Sequence, residues 1–121
     1  MNVNELIPKP AFKVQFKLSN YIFIPKEAGC YILATFDNDI IYVGASDSLF
    51  YRFQQHLNNA EKANPNHEGK AIWFYYKSYD SVNLPTLERT WINQFVMNHG
   101  KFPMLNKINS PVNEYFGATD M

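Results

Sequence analysis

Gly29-Cys30-Tyr31-Ile32-Leu33-Ala34-Thr35-Phe36-Asp37-Asn38-Asp39-Ile40-Ile41-Tyr42-Val43-Gly44 is the stretch that decides the fold of this chain. Gly29 to Phe36 is a short apolar run of strand type, and Ile40 to Gly44 is a second. Asp37-Asn38-Asp39 between them reads as a turn, because Asn and Asp bond to nearby backbone and tolerate its special angles. The two runs therefore predict a hairpin. Tyr31 and Tyr42, one on each strand, can come together on one small sheet.

Working outward, residues 12–18 alternate: Phe12, Val14, Phe16 and Leu18 on one face, Lys13, Gln15 and Lys17 on the other. That period predicts a half-buried strand. Its apolar face needs a cover, so it is either an added edge strand or a dimer contact. Tyr21 to Ile24 is a short extended run stopped by Pro25. Downstream, Ser46-Asp47-Ser48 offers caps for a helix from Leu49 to about Ala63, whose stripe is Leu49, Phe50, Phe53, Leu57 and Ala60. Asn64-Pro65-Asn66 ends it. Ala71 to Tyr79 reads as a buried central strand. Asn83 caps a second helix with Pro85 in its first turn. Leu84, Leu87, Trp91, Ile92, Phe95 and Val96 form its core face, and Gly100 stops it. Pro103 to Ile108 predicts a short third helix, and the tail after Pro111 reads as loose. The order gives an α+β fold: a small three-stranded mixed or antiparallel sheet flanked by helices, with an extra N-terminal strand. Residues 1–24 are then an N-terminal extension, 25–110 the domain proper and 111–121 a flexible tail.

The composition agrees with one folded domain. Of 121 residues 46% are hydrophobic, 17% aromatic and only 18% charged, which supports a core and argues against disorder. No apolar run is long enough to span a membrane, and the N-terminus has no secretory pattern. The single cysteine, Cys30, excludes an internal disulfide and a four-cysteine zinc site. A reducing, cytoplasmic setting is expected. The net charge is zero. Free-standing DNA binders usually carry a basic excess, so any grip on nucleic acid should be weak, small in footprint or helped by another subunit. Any basic excess is local: residues 1–26 hold Lys9, Lys13, Lys17 and Lys26 against Glu5.

Several polar residues could do chemistry. Arg52 and His56 are one helical turn apart and share a face. With nine lysines and two arginines, Arg52 suggests a geometric task such as a forked contact to phosphate or carboxylate. A surface arginine and a boundary histidine remain the plain alternative. Glu88 stands on the apolar stripe of Leu84, Trp91, Ile92 and Phe95. A buried carboxylate must be protonated, paired or metal-bound, so Glu88 is either a structural partner of Arg52 or a ligand for Mg²⁺. Asn106 alone reads as a cap or turn residue. Tyr31 and Tyr42 alone are ordinary strand residues. The three histidines are too spread for a zinc cluster.

Taken in order, these residues resemble the GIY-YIG endonuclease superfamily. The signatures stand here as Gly29-Cys30-Tyr31 and Tyr42-Val43-Gly44, followed by Arg52, His56, Glu88 in Leu87-Glu88-Arg89 and Asn106 in Pro103-Met104-Leu105-Asn106. The likeness covers about residues 25–108. Cys30 stands where the family usually has a branched aliphatic and Val43 where it has isoleucine, and both should point away from the tyrosines.

The resemblance implies metal-dependent endonuclease cleavage of DNA phosphodiesters with Mg²⁺ or Mn²⁺. Glu88 would hold the cation. Tyr31 would act as base or orient the attacking water, and Tyr42 would contact the phosphate or the metal's water. Arg52 would offset phosphate charge, His56 would move protons or position Tyr31, and Asn106 would orient groups around the metal. For Tyr31 to be a base near neutrality its pKa must drop from about 10 to near 7, which costs about 4 kcal/mol. Two other readings stand beside this one. The chain could be a catalytically silent binding module within a larger complex, or a small enzyme acting on RNA or nucleotides. DNA is the expected partner, with a homodimer or helper subunit adding affinity.

Overall fold

The computed structural model describes residues 1–58, 70–103, 105 and 106. Four strands form one sheet: β1 (Phe12–Gln15), β2 (Gly29–Ala34), β3 (Ile40–Ser46) and β4 (Trp73–Ser78). Their spatial order is β1-β4-β2-β3, and every pair is antiparallel. The helices are α1 (Leu49–Leu57) and α2 (Leu84–His99), and short 3-10 turns lie at Val3–Glu5 and Leu18–Phe23. The hairpin turns at Asn38, whose φ of 70° is the left-handed angle that Asn tolerates. The extra strand is an edge strand paired with β4.

The period-2 pattern of β2 puts its side chains into two separate cores. Cys30, Ile32 and Val43 face α2, where they pack with Trp91, Phe95, Val3 and Leu6. Tyr31, Leu33 and Tyr42 face α1, where they pack with Phe53, Phe74 and Phe16. Cys30 and Val43 thus point away from the tyrosines. Ser48 caps α1 by accepting from Tyr51 N–H, and Gly100 closes α2 at φ 74°. No described helix is long and apolar enough to cross a membrane.

Two local expectations change. The alternating strand ends at Gln15, and of its apolar residues only Phe16 is buried; Phe12 and Leu18 are exposed. Phe12 lies on the outermost strand, beyond the cover of α1. Leu18 enters a 3-10 turn instead of continuing the strand. That turn also replaces the extended run at Tyr21–Phe23, because Asn20 bonds back to Gln15 and Lys17. The Lys13 ammonium sits 4.1 Å from the centre of the Trp73 ring. The expected helix beyond residue 58, its stop at Asn64-Pro65-Asn66, most of the third helix and the tail lie outside the described residues.

Candidate active site

The register brings the tyrosines together. Tyr31 pairs with Gly44 and Leu33 with Tyr42, so the phenols are diagonal neighbours on one face, with ring centroids 5.9 Å apart. Gly44 is glycine because there is no room for more. A Cβ there would lie 2.5 Å from Cζ and Oη of Tyr31 and 2.9 Å from Cε2 of Tyr42. Phe74 backs the Tyr31 ring, stacked at 5.2 Å.

The Ser46–Ser48 corner carries the chain from β3 into α1, with the Ser46 hydroxyl bonded to both Ser48 backbone groups. One turn of α1 then aims Arg52 and His56 at the tyrosines. His56 Nε2 lies 2.5 Å from the Tyr31 hydroxyl, and its ring is 5.1 Å from that of Tyr42. Tyr31 and His56 are both buried. Burial pushes the Tyr31 phenol well above its ordinary value, Tyr42 adds to the rise, and Arg52 opposes it.

Glu88 and Asn106 reach the same strands from elsewhere. Glu88 is buried on α2, and its charge bears on the Cys30 thiol next to Tyr31. Asn106 sits at the outer edge of β3. Its Oδ1 accepts from Val43 N–H at 2.8 Å and its Nδ2 donates to Val43 C=O at 2.7 Å. The amide stands in for a missing strand, and Leu105 N–H extends the pairing to Ile41 C=O. Four of the six sequence-derived residues are therefore gathered on the α1 side; Glu88 comes from α2 and Asn106 from the β3 edge.

Residues 27–99 match the family model of the GIY-YIG catalytic domain. The chain belongs to the GIY-YIG family. Membership supports a nuclease-type function. Two relatives are each named UvrABC system protein C. That of Prochlorococcus marinus subsp. pastoris strain MED4 is 34% identical over 62 residues, 45% of this chain and 10% of the relative. That of Prochlorococcus marinus strain MIT 9312 is 31% identical over 72 residues, 53% of this chain and 11% of the relative. The chain thus spans about a tenth of the length of these curated relatives.

Two features of this GIY-YIG site were not read from the sequence. One is the clearance at Gly44, although a glycine inside a strand is a known sign of close approach. The other is the Phe74 stack, which depends on a cross-strand register.

Asn106→Ala should destabilise the GIY-YIG sheet. It leaves two buried backbone groups of Val43 unbonded, at a cost of about 1–3 kcal/mol. Urea unfolding measures this, and an unchanged midpoint would mean that the edge pairing contributes nothing.

Alkaline pH should also destabilise the domain. Below about pH 10 a tyrosine keeps its proton in the folded and unfolded chain alike, so Tyr31 adds no pH dependence there. Above that, the unfolded chain releases the proton while the buried phenol keeps it. Stability then falls by about 1.4 kcal/mol per pH unit until the native phenol titrates. Cys30, raised by burial and then by Glu88, adds a similar slope from a lower starting pH. In Tyr31→Phe the Tyr31 part of the slope should vanish from a series of urea midpoints; an identical slope would remove its assignment to this phenol.

Proposed function

We propose that this chain is a divalent-metal-dependent endonuclease that hydrolyses DNA phosphodiester bonds. The observation that carries the reading is the Tyr31 phenol, held 2.5 Å from His56 Nε2 in a buried setting where Arg52 also acts on it. A packing tyrosine needs neither partner. Family membership gives the arrangement its chemical class.

The donor set fits a magnesium-type ion. Mg²⁺ takes oxygen ligands, needs only one or two carboxylates and keeps several waters, and Glu88 is a carboxylate only 4% exposed. Among the described residues, no three His, Cys, Asp or Glu side chains are grouped to hold a metal, so a zinc-type cage is not formed there. Glu88 would hold Mg²⁺ or Mn²⁺, which when bound acidifies water and offsets phosphate charge.

The geometry is compatible with the other roles that the family resemblance implies. Burial keeps the Tyr31 proton in place, which favours steering of the attacking water over removal of its proton. The Tyr31 O–H can donate to Nε2 of a neutral His56, which fixes the phenol's direction. With Nε2 taken up by that hydrogen bond, His56 would position Tyr31 or pass a proton only through it. Arg52 offers a forked contact to the phosphate and offsets the charge that builds on it. Tyr42 contacts the phosphate beside Tyr31. Asn106 is a positioning residue that acts through the Tyr42–Gly44 strand.

A cytoplasmic setting and a helper subunit or second copy belong to the same proposal. The neutral charge calls for added grip, and the relatives are named as component C of a system. The test is incubation of the purified chain with supercoiled plasmid and Mg²⁺ or Mn²⁺. Nicked circles that disappear with EDTA are expected. No cleavage of supercoiled, linear, branched or single-stranded DNA under either metal would overturn the reading. Cleavage of RNA or mononucleotides in its place would move the substrate class.

A further inference from the structure

The Leu18–Phe23 turn is unusual: it buries none of its six residues, although Leu18, Tyr21, Ile22 and Phe23 are all large and apolar. Ile22 is 64% exposed and Phe23 60%. Exposed apolar groups gathered on one element mark a contact surface rather than a fold requirement.

Its position ties it to the site. Phe12 pairs with Tyr76, Tyr76 with Tyr31, and Tyr31 with Gly44, so one cross-strand row runs from the active tyrosine out to the exposed Phe12. Phe12 stacks on Tyr76 at 5.4 Å, and the Tyr76 hydroxyl donates to the Phe23 carbonyl. Tyr21 meets Phe50 of α1 edge-on at 5.8 Å, two residues before Arg52. Two strand spacings separate Phe12 from Tyr31 across the sheet, about 10 Å. That is roughly the length of three stacked nucleotides.

The charge around the turn is of the right sign for a phosphate backbone. Lys17 and Lys26 flank it, and the Lys26 ammonium lies 5.1 Å from the Phe50 ring centre. Glu27 follows Lys26, so one acid stands against these two lysines beside the turn. Exposed rings next to lysines bind unpaired bases by stacking, and Ile or Leu side chains wedge between base steps.

Resting on the proposed nuclease reading, we infer that the Leu18–Phe23 turn and Phe12 form a stacking platform for unpaired bases, within about three nucleotides of the cut phosphate. The substrate is then DNA with a single-stranded segment at the cleavage position. Residues 12–23 lie outside the stretch that matches the family model, so the platform is a property of this chain.

The test is fluorescence anisotropy of the full chain in EDTA, with a labelled single strand and its duplex. The single strand should bind at least about tenfold tighter. Phe23→Ala should weaken single-strand binding roughly tenfold, and Phe23→Trp should preserve it. Phe23 is exposed, so neither substitution removes a core side chain, and circular dichroism checks the fold. Equal binding by wild type and Phe23→Ala would overturn the inference. So would light scattering that shows an oligomer dissociated by Ile22→Ala with DNA binding unchanged, because the patch would then be a contact between copies. If no DNA is cleaved but binding still depends on Phe23, the platform stands and the hydrolytic reading fails. If plasmid is nicked but Phe23 is irrelevant to binding, the reverse holds.

Discussion

Gly44→Ala should cripple the protein, lowering both its stability and its cleavage rate. The added methyl would sit 2.5 Å from two atoms of Tyr31 and 2.9 Å from one of Tyr42, all well inside van der Waals contact. A flexible side chain could yield, but these rings cannot. Tyr31 is wedged between Phe74, stacked at 5.2 Å, and His56, at 2.5 Å from its hydroxyl. Overpacking of such a core costs about 1–3 kcal/mol. The strain is relieved only if the phenol shifts, and a displacement of about 1 Å at a reacting group can cost roughly 100-fold in rate. A folded, less stable variant with cleavage reduced about 100-fold is therefore expected.

Two other glycines make the control. Gly29→Ala would also clash, at 2.5 Å from the Lys77 carbonyl and 2.7 Å from Leu49, which are not ring atoms of the tyrosines. It should destabilise the fold with a smaller effect on rate per unit of stability lost. Gly100→Ala meets no atom within 4 Å and is strained only by its φ of 74°. It should cost about 1–2 kcal/mol and leave cleavage unchanged. Unfolding curves and plasmid nicking on the three variants separate a general glycine effect from one at the phenols. Wild-type nicking by Gly44→Ala would sink the close-packing account.

The contrast among these glycines shows where sequence reading stops. The hairpin was legible because strand period, a polar turn and β-branched residues all agree within sixteen residues. Arg52 and His56 were legible because one helical turn fixes a shared face. Glu88 stood out as a carboxylate on an apolar stripe, and it is buried. What failed depends on distant partners. Phe12 alternates correctly, yet its exposure is set by how far α1 extends over the sheet. Asn106 looked like a cap, but its amide pairs with backbone 63 positions earlier in the chain. The turn at Leu18–Phe23 broke an apolar run because Asn20 bonds back to the strand before it. The clearance at Gly44 needs the strand register, which no local pattern contains.

Glu88 sets the sharpest trial of metal dependence, because its removal should separate function from folding. Most buried residues lose stability when truncated. A carboxylate only 4% exposed on an apolar helix face carries a desolvation cost. Glu88→Gln keeps the shape and removes the charge. Without metal, its unfolding free energy should equal or exceed that of the wild type. Its nicking should fall by at least about 100-fold if the carboxylate holds the cation. A third measurement does not depend on turnover. A ligand bound only to the folded state stabilises by about 2.7 kcal/mol at 100 times its dissociation constant, so Mn²⁺ should raise the wild-type melting temperature and leave that of Glu88→Gln unmoved. If Glu88 is instead the structural partner of Arg52, the pattern inverts: Glu88→Gln loses stability without metal, and the Mn²⁺ shift survives in both proteins.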